Sequence, residues 1–205
     1  MLSLGGIVLV PLIASSLVAI ALILERVIFW LNIQQKQNRI IGEFLYLYQN
    51  NPQAALPKLK ENSNLPIARI FLAALELQYP TPEELKLALE TAAQAEIPML
   101  KRFNTVFETI IGIAPLLGLL GTILGLIETF SALKIGDIAA TNTSGVSSGI
   151  SDALITTAVG LLVAIITLLF ANLFRSLYRR QLGAIQKYGG RFELLYRRKF
   201  REKSF

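Results

Sequence analysis

The sequence contains neither cysteine nor histidine. Without thiols there is no disulfide framework and no thiolate nucleophile, and without imidazole there is no zinc cluster and no histidine acid–base pair. No glycine run is followed by Gly-Lys-Ser/Thr, so a phosphate loop is missing too. Nowhere does the chain show the strict alternation of a β-strand. Neither an enzymatic centre nor a cofactor or metal is expected.

Charge is also missing from three long stretches. Gly5–Leu24, Thr109–Ile127 and the run from Ala153 to Phe174 carry no ionisable side chain. About 20 apolar residues at 1.5 Å each cross a hydrocarbon core of ~30 Å, so each stretch is long enough to span a membrane. The composition agrees, with 53% hydrophobic residues in 205 and a mean hydropathy of +0.54. The opening MLSLGG has no Lys or Arg, and no small-x-small cleavage site follows the first apolar run. An uncleaved first helix is therefore expected over 5–30, with Trp30 at the headgroup level.

The net charge of +6 is unevenly spread. Residues 25–108 carry nine basic and nine acidic side chains, whereas residues 175–205 carry ten basic and two acidic. The excess follows directly on a span, where the positive-inside rule places it, and a nucleic-acid partner is not expected. Residues 134–148 hold a single basic residue, Lys134. That asymmetry puts the loop and the amino terminus on one side and the carboxyl terminus in the cytoplasm.

The expected fold is all-α, with three membrane helices over 5–30, 109–133 and 149–174. A helical cytoplasmic segment at 31–108, a polar outer loop at 134–148 and a basic tail at 175–205 complete the chain. The segment 31–108 reads as an extension of the membrane helices and not as a separate domain. Asn50-Asn51-Pro52 and Tyr79-Pro80-Thr81-Pro82 break it, with Thr81 an N-cap, Pro82 at the first helical position and Pro98 a kink. The tail is expected to continue the third helix, to break at Gly189-Gly190, and to suit an anionic lipid leaflet.

Chemistry concentrates in two spans. Gly149, Ala153, Thr156, Gly160, Ala164, Thr167 and Ala171 recur at three- and four-residue spacings, a seam of small side chains that admits a second helix. Asp152 stands at the head of this seam, with Thr156 and Thr157 one turn on. An acid there points to an ion path, or else only complements the helix dipole. In the other span Ala114, Gly118, Gly121 and Gly125 form a second seam. Pro115 removes an amide donor there and predicts a bend or a re-satisfied backbone, and Thr122 can bond across an interface. Tight packing alone also explains the glycines. Glu128, at the outer end of its span, needs no special role.

The segments IGIAPLLGLLGTILGLIETF and GISDALITTAVGLLVAI, taken together, resemble the MotA/TolQ/ExbB proton-channel family, nearest its ExbB/TolQ branch. ALILERVIFW is similar to the family's first-span exit, and IPMLKRFNTVFETIIGIAP to its approach to the second span. MotA proteins usually have four spans and a larger cytoplasmic region. The resemblance implies a pentameric ring in the bacterial inner membrane. Its second and third spans would line a pore that holds the helices of an ExbD- or TolR-like partner. Proton flow would then drive movement passed to TonB, or to TolA. It further implies that Thr122 and Thr157 are pore threonines, that Pro115 is the proline before the pore glycines, and that Asp152 stands where relatives usually have glutamate. Ile166 departs from the proline that many relatives have there. A TolQ-like role in envelope integrity, or a non-conducting membrane scaffold, remains the alternative.

Overall fold

The computed structural model describes residues 4–131 and 143–203. Six helices account for nearly all of them, and no strand occurs among the described residues: α1 Leu4–Asn50, α2 Pro52–Glu61, α3 Pro66–Leu75, α4 Pro82–Leu100, α5 Asn104–Ser131 and α6 Thr143–Lys203. Three helical stretches are long and apolar enough to cross a membrane. The protein is an all-α, multi-pass membrane protein.

Proline starts each of the three short helices. Pro52, Pro66 and Pro82 stand in the first turns of α2, α3 and α4, where a missing amide donor costs nothing. At the head of α4 the Glu84 amide donates to Thr81 Oγ1 at 3.2 Å, and the Thr81 amide donates to Glu84 Oε2 at 2.7 Å. This reciprocal capping satisfies two donors that the helix itself cannot. Pro98 falls two residues before the end of α4, which closes at Leu100. A turn with Phe103 at φ 69° leads into α5.

The chain divides into two compact units. The first comprises residues 1–26 and 103–174. In it Leu12 and Ala19 of α1, Ile110 and Ala114 of α5 and Ala164 of α6 form a buried core, joined by Leu117, Val159 and Val163. Its outward faces remain apolar, with Val10, Leu17, Leu116, Leu119, Leu154 and Leu162 each more than half exposed. In water such a surface would be a large unfavourable patch, but against lipid tails it is solvated.

The second unit comprises residues 27–102 and 175–205. Here the polar portions of α1 and α6 pack with α2–α4 around a core of their own. Phe44, Tyr48, Phe71 and Phe192 meet at ring-centroid distances of 5.0–5.9 Å. Burial pushes the Tyr48 phenol up to about 12, reinforced by nearby Tyr196. The Arg69 guanidinium grips Glu96 with two hydrogen bonds of 2.7 and 2.5 Å and donates a third to the Ser63 carbonyl. Buried Gln37 and Gln181 exchange side-chain amide bonds of 3.0 and 2.6 Å. Beyond extending the membrane helices, then, the segment 31–108 takes part in a compact unit.

Two expectations need correction. Gly189-Gly190 does not break α6, which runs unbroken to Lys203. Each glycine costs a helix about 1 kcal/mol, but buried Ile185 and Phe192 anchor α6 on either side. At the other end α6 begins at Thr143, so residues 143–148 of the expected 134–148 loop are helical, while residues 134–142 lie outside the described residues. Pro115 lies inside α5, which continues through it.

Candidate functional site

The site is the line along which α5 and α6 touch within the first unit. On α6 the small side chains Ala153, Thr156, Gly160, Ala164, Thr167 and Ala171 are all buried. Their spacing keeps them on one face for five turns. Facing them on α5 are Ala114, Gly118 and Gly121, likewise buried. The approach is closer than any larger residue permits. A Cβ at Gly160 would stand 2.5 Å from the Ala114 carbonyl oxygen and 3.1 Å from Gly118 Cα. One at Gly118 would stand 2.9 Å from Thr157 Cα, and one at Gly125 2.9 Å from Ala153 Cβ. The two seams therefore meet each other inside a single subunit.

Three hydroxyls fill the middle of this contact. Thr157 donates to the Gly118 carbonyl at 2.9 Å, and Thr156 to the Ala153 carbonyl at 2.7 Å. Thr122 lies within 3.2 Å of both the Gly118 and the Ala153 carbonyls, and its hydroxyl also meets that of Thr157. A hydroxyl has one proton to give. A consistent arrangement has Thr122 donating to Thr157 Oγ1 and Thr157 donating onward to Gly118. Such a chain ties α5 to α6 and aligns three polar groups in an otherwise apolar span. Thr129 and Thr167 bond carbonyls of their own helices, at Gly125 and Val163.

Asp152 does not join this cluster. Five residues separate it from Thr157, a turn of about 140° around the helix. It is exposed, as are Ser147, Ser148 and Ser151, which precede it on α6. No hydrogen bond or ion pair links it to a described residue of its own chain. Nine residues of helix precede it, since α6 starts at Thr143. Stabilisation of an acid by the helix dipole fades within the first turn, so the dipole alone does not account for Asp152. No group of three or more acidic side chains suited to a metal occurs among the described residues.

The Gly118 carbonyl was invisible to sequence reasoning as a functional atom. It accepts from Thr157 at 2.9 Å, and the Thr122 and Thr156 hydroxyls lie 3.2 and 3.4 Å from it. The only signal pointing to it was the glycine seam, because a Cβ at 118 would stand 2.9 Å from Thr157 Cα and 3.0 Å from the Thr156 carbonyl oxygen and hold α6 away.

Residues 62–187 match the MotA/TolQ/ExbB proton channel family. That stretch includes all of α5, the threonine cluster and Asp152. The chain is 60% identical over 194 residues to the biopolymer transport protein ExbB-like 3 of Synechocystis sp., covering 95% of this chain and 92% of that one. To ExbB-like 1 of the same organism it is 38% identical over 132 residues, 64% of this chain and 52% of the relative. An ExbB homolog of Methanothermobacter thermautotrophicus is 33% identical over 92 residues, 45% of this chain and 33% of the relative.

Proposed function

The chain belongs to the MotA/TolQ/ExbB proton channel family, and on that footing we propose that it is the channel-forming subunit of an ExbB-type, proton-driven transport motor. Five copies form a ring in the inner membrane, with α5 and α6 around a central path. A single-span, ExbD- or TolR-like partner occupies that path and supplies the second acid. Proton passage moves the partner and is coupled through TonB to transport across the outer membrane. A TolQ-like coupling to envelope integrity would use the same subunit and the same path.

The observation that carries this reading is the placement of Asp152. A carboxylate on the exposed face of a largely apolar helix, well past its first turn, is costly against lipid. It is stable against water or a polar partner, and its place at the head of the α5–α6 wall supports a path beginning there. Thr122 and Thr157 hold that wall together across the α5–α6 contact, through their shared hydroxyl contact and the bond from Thr157 to the Gly118 carbonyl, while Thr156 bonds the Ala153 carbonyl of its own helix. Their role is first to fix the geometry and second to add polarity. The test is complementation. In cells lacking their own subunit, this chain with its partner should restore energised uptake of a receptor-dependent ligand. Failure with a correctly inserted and assembled complex would favour a non-conducting scaffold.

The proposed orientation has the amino terminus outside and the carboxyl terminus in the cytoplasm. A cysteine placed at Thr143 should react with a membrane-impermeant thiol reagent applied outside the inner membrane. One at Gln186 should react only after lysis. The reverse pattern would invert the topology.

A further inference from the structure

Within the second unit α1 and α6 enclose a cleft of about 280 Å³ just past the apolar stretches of both helices. Gln34, Gln37 and Asn38 of α1 and Arg180 and Gln181 of α6 are among its walls, with the indole of Trp30. No carboxylate lines it. Hydrogen-bond donors are left over. The Arg180 side chain is exposed and bonds no described residue, and the indole N–H of Trp30 is buried without an acceptor. The acceptors are partly used already. Asn38 Oδ1 takes the Tyr188 hydroxyl at 3.2 Å, and the amide oxygens of Gln37 and Gln181 each take the other's N–H. A polar recess with one guanidinium, surplus donors and no acid selects an anion.

Its position says how the anion arrives. The exposed face of α1 carries large apolar side chains from Ile7 through Val10, Leu17 and Leu24 to Ile28 and Leu31. Those 24 residue steps cover about 36 Å of helix, the hydrocarbon core and part of one interface. Of the first charged pair on the helix, Arg26 is only 2% exposed, and Glu25, 3.6 Å from it and 41% exposed, flanks the Leu24–Ile28–Leu31 line without standing on it. The character changes at the next turn, where Gln34, Gln35 and Asn38 are exposed. Ile28, Leu31, Gln34 and Asn38 follow helical spacings of three and four, so the apolar strip runs straight into the cleft. On α6 the same change occurs between Leu173 and the exposed Arg179 and Arg180.

We propose that this cleft binds the phosphate of an anionic phospholipid, with the acyl chains laid along the Ile28–Leu31 strip and the phosphate oxygens held by Arg180 and the amide of Gln34. The chemistry recognised is a phosphate oxyanion, and the apolar strip assigns its source to a lipid. The inference depends on the membrane-spanning fold and not on proton conduction.

Full-length protein purified in mild detergent and titrated with phosphatidylglycerol, with bound lipid counted by native mass spectrometry, tests it. The parent should retain lipid, and Arg180→Gln should weaken retention about tenfold, the size expected for loss of a charge-assisted hydrogen bond. Arg179→Gln, whose side chain does not line the cleft, should retain lipid as the parent does. Equal weakening by the two variants would mean diffuse attraction to the basic tail and would overturn the site. Full displacement of the lipid by millimolar inorganic phosphate would show that the cleft reads a free anion and would overturn the lipid assignment. A change in oligomer mass with Arg180→Gln, at unchanged lipid retention, would show a contact between subunits instead and would also overturn it.

Discussion

Gly160→Leu is expected to prevent recovery of folded protein. The position has no room even for a methyl group. An ideal Cβ there lies 2.5 Å from the Ala114 carbonyl oxygen and 3.3 Å from the Gly118 amide nitrogen. Both are backbone atoms of α5, so nothing can rotate aside, and the helices must separate. Overpacking of a well-filled core typically costs about 1–3 kcal/mol, and separation here also breaks the Thr122–Thr157 and Thr157–Gly118 bonds between the helices. Gly160→Ala should already lower the melting temperature. Gly121→Ala should cost less, because its Cβ would meet the Thr156 hydroxyl at 2.7 Å, a side-chain atom that can yield at the expense of its own hydrogen bond. Gly112→Ala should be nearly silent, since nothing lies within 4 Å of the added carbon. The measurement is yield and thermal stability in mild detergent across this series. Parent-like recovery of Gly160→Leu would mean that α5 and α6 do not pack as described.

Asp152→Asn is expected to leave yield and oligomer size unchanged and to abolish energised uptake. The substitution keeps the size of the side chain and removes only its charge. An acid that merely complements a helix dipole contributes ~0.3–1 kcal/mol, and asparagine would be almost silent in its place. An acid that faces an ion path sets the local potential and can exchange a proton or pair with the partner. Asp152→Glu, one methylene longer, should retain much of the activity. Thr157→Val should give an intermediate loss, because it removes the hydroxyl that meets Thr122 and bonds Gly118 but no charge. The assay is uptake of a receptor-dependent ligand with the partner co-expressed. Full uptake with asparagine at 152 would make the carboxylate structural.

Much of this arrangement was legible because its causes are local. Three uncharged stretches of span length declare themselves without any partner. The capping of α4 follows from Thr81, Pro82 and Glu84 standing within four residues of one another. The buried stripe of α6 could be read from spacing alone, since a helix repeats its face every three to four residues. What spacing could not give is the register of one helix against another. The seams could have met between subunits, whereas Gly118 and Gly160 pack together within one. The shared carbonyl of Gly118 depends on that register, and so does the amide exchange between Gln37 and Gln181, 144 residues apart. The quartet of Phe44, Tyr48, Phe71 and Phe192 draws on three helices and has no signature in any one of them. Gly189-Gly190 misled for the opposite reason. Local propensity favours a break, but burial of Phe192 in that aromatic core holds the helix through it.

Proton flux is the most direct test of a conducting role. The chain and its single-span partner, reconstituted into liposomes with an internal pH indicator, would be exposed to a pH gradient with a potassium–valinomycin diffusion potential. The parent complex should acidify the lumen at a rate well above that of empty liposomes, and the Asp152→Asn complex should fall to that background. Flux that is absent from the parent complex, or equal in parent and variant, would contradict the assignment of Asp152 to a proton path.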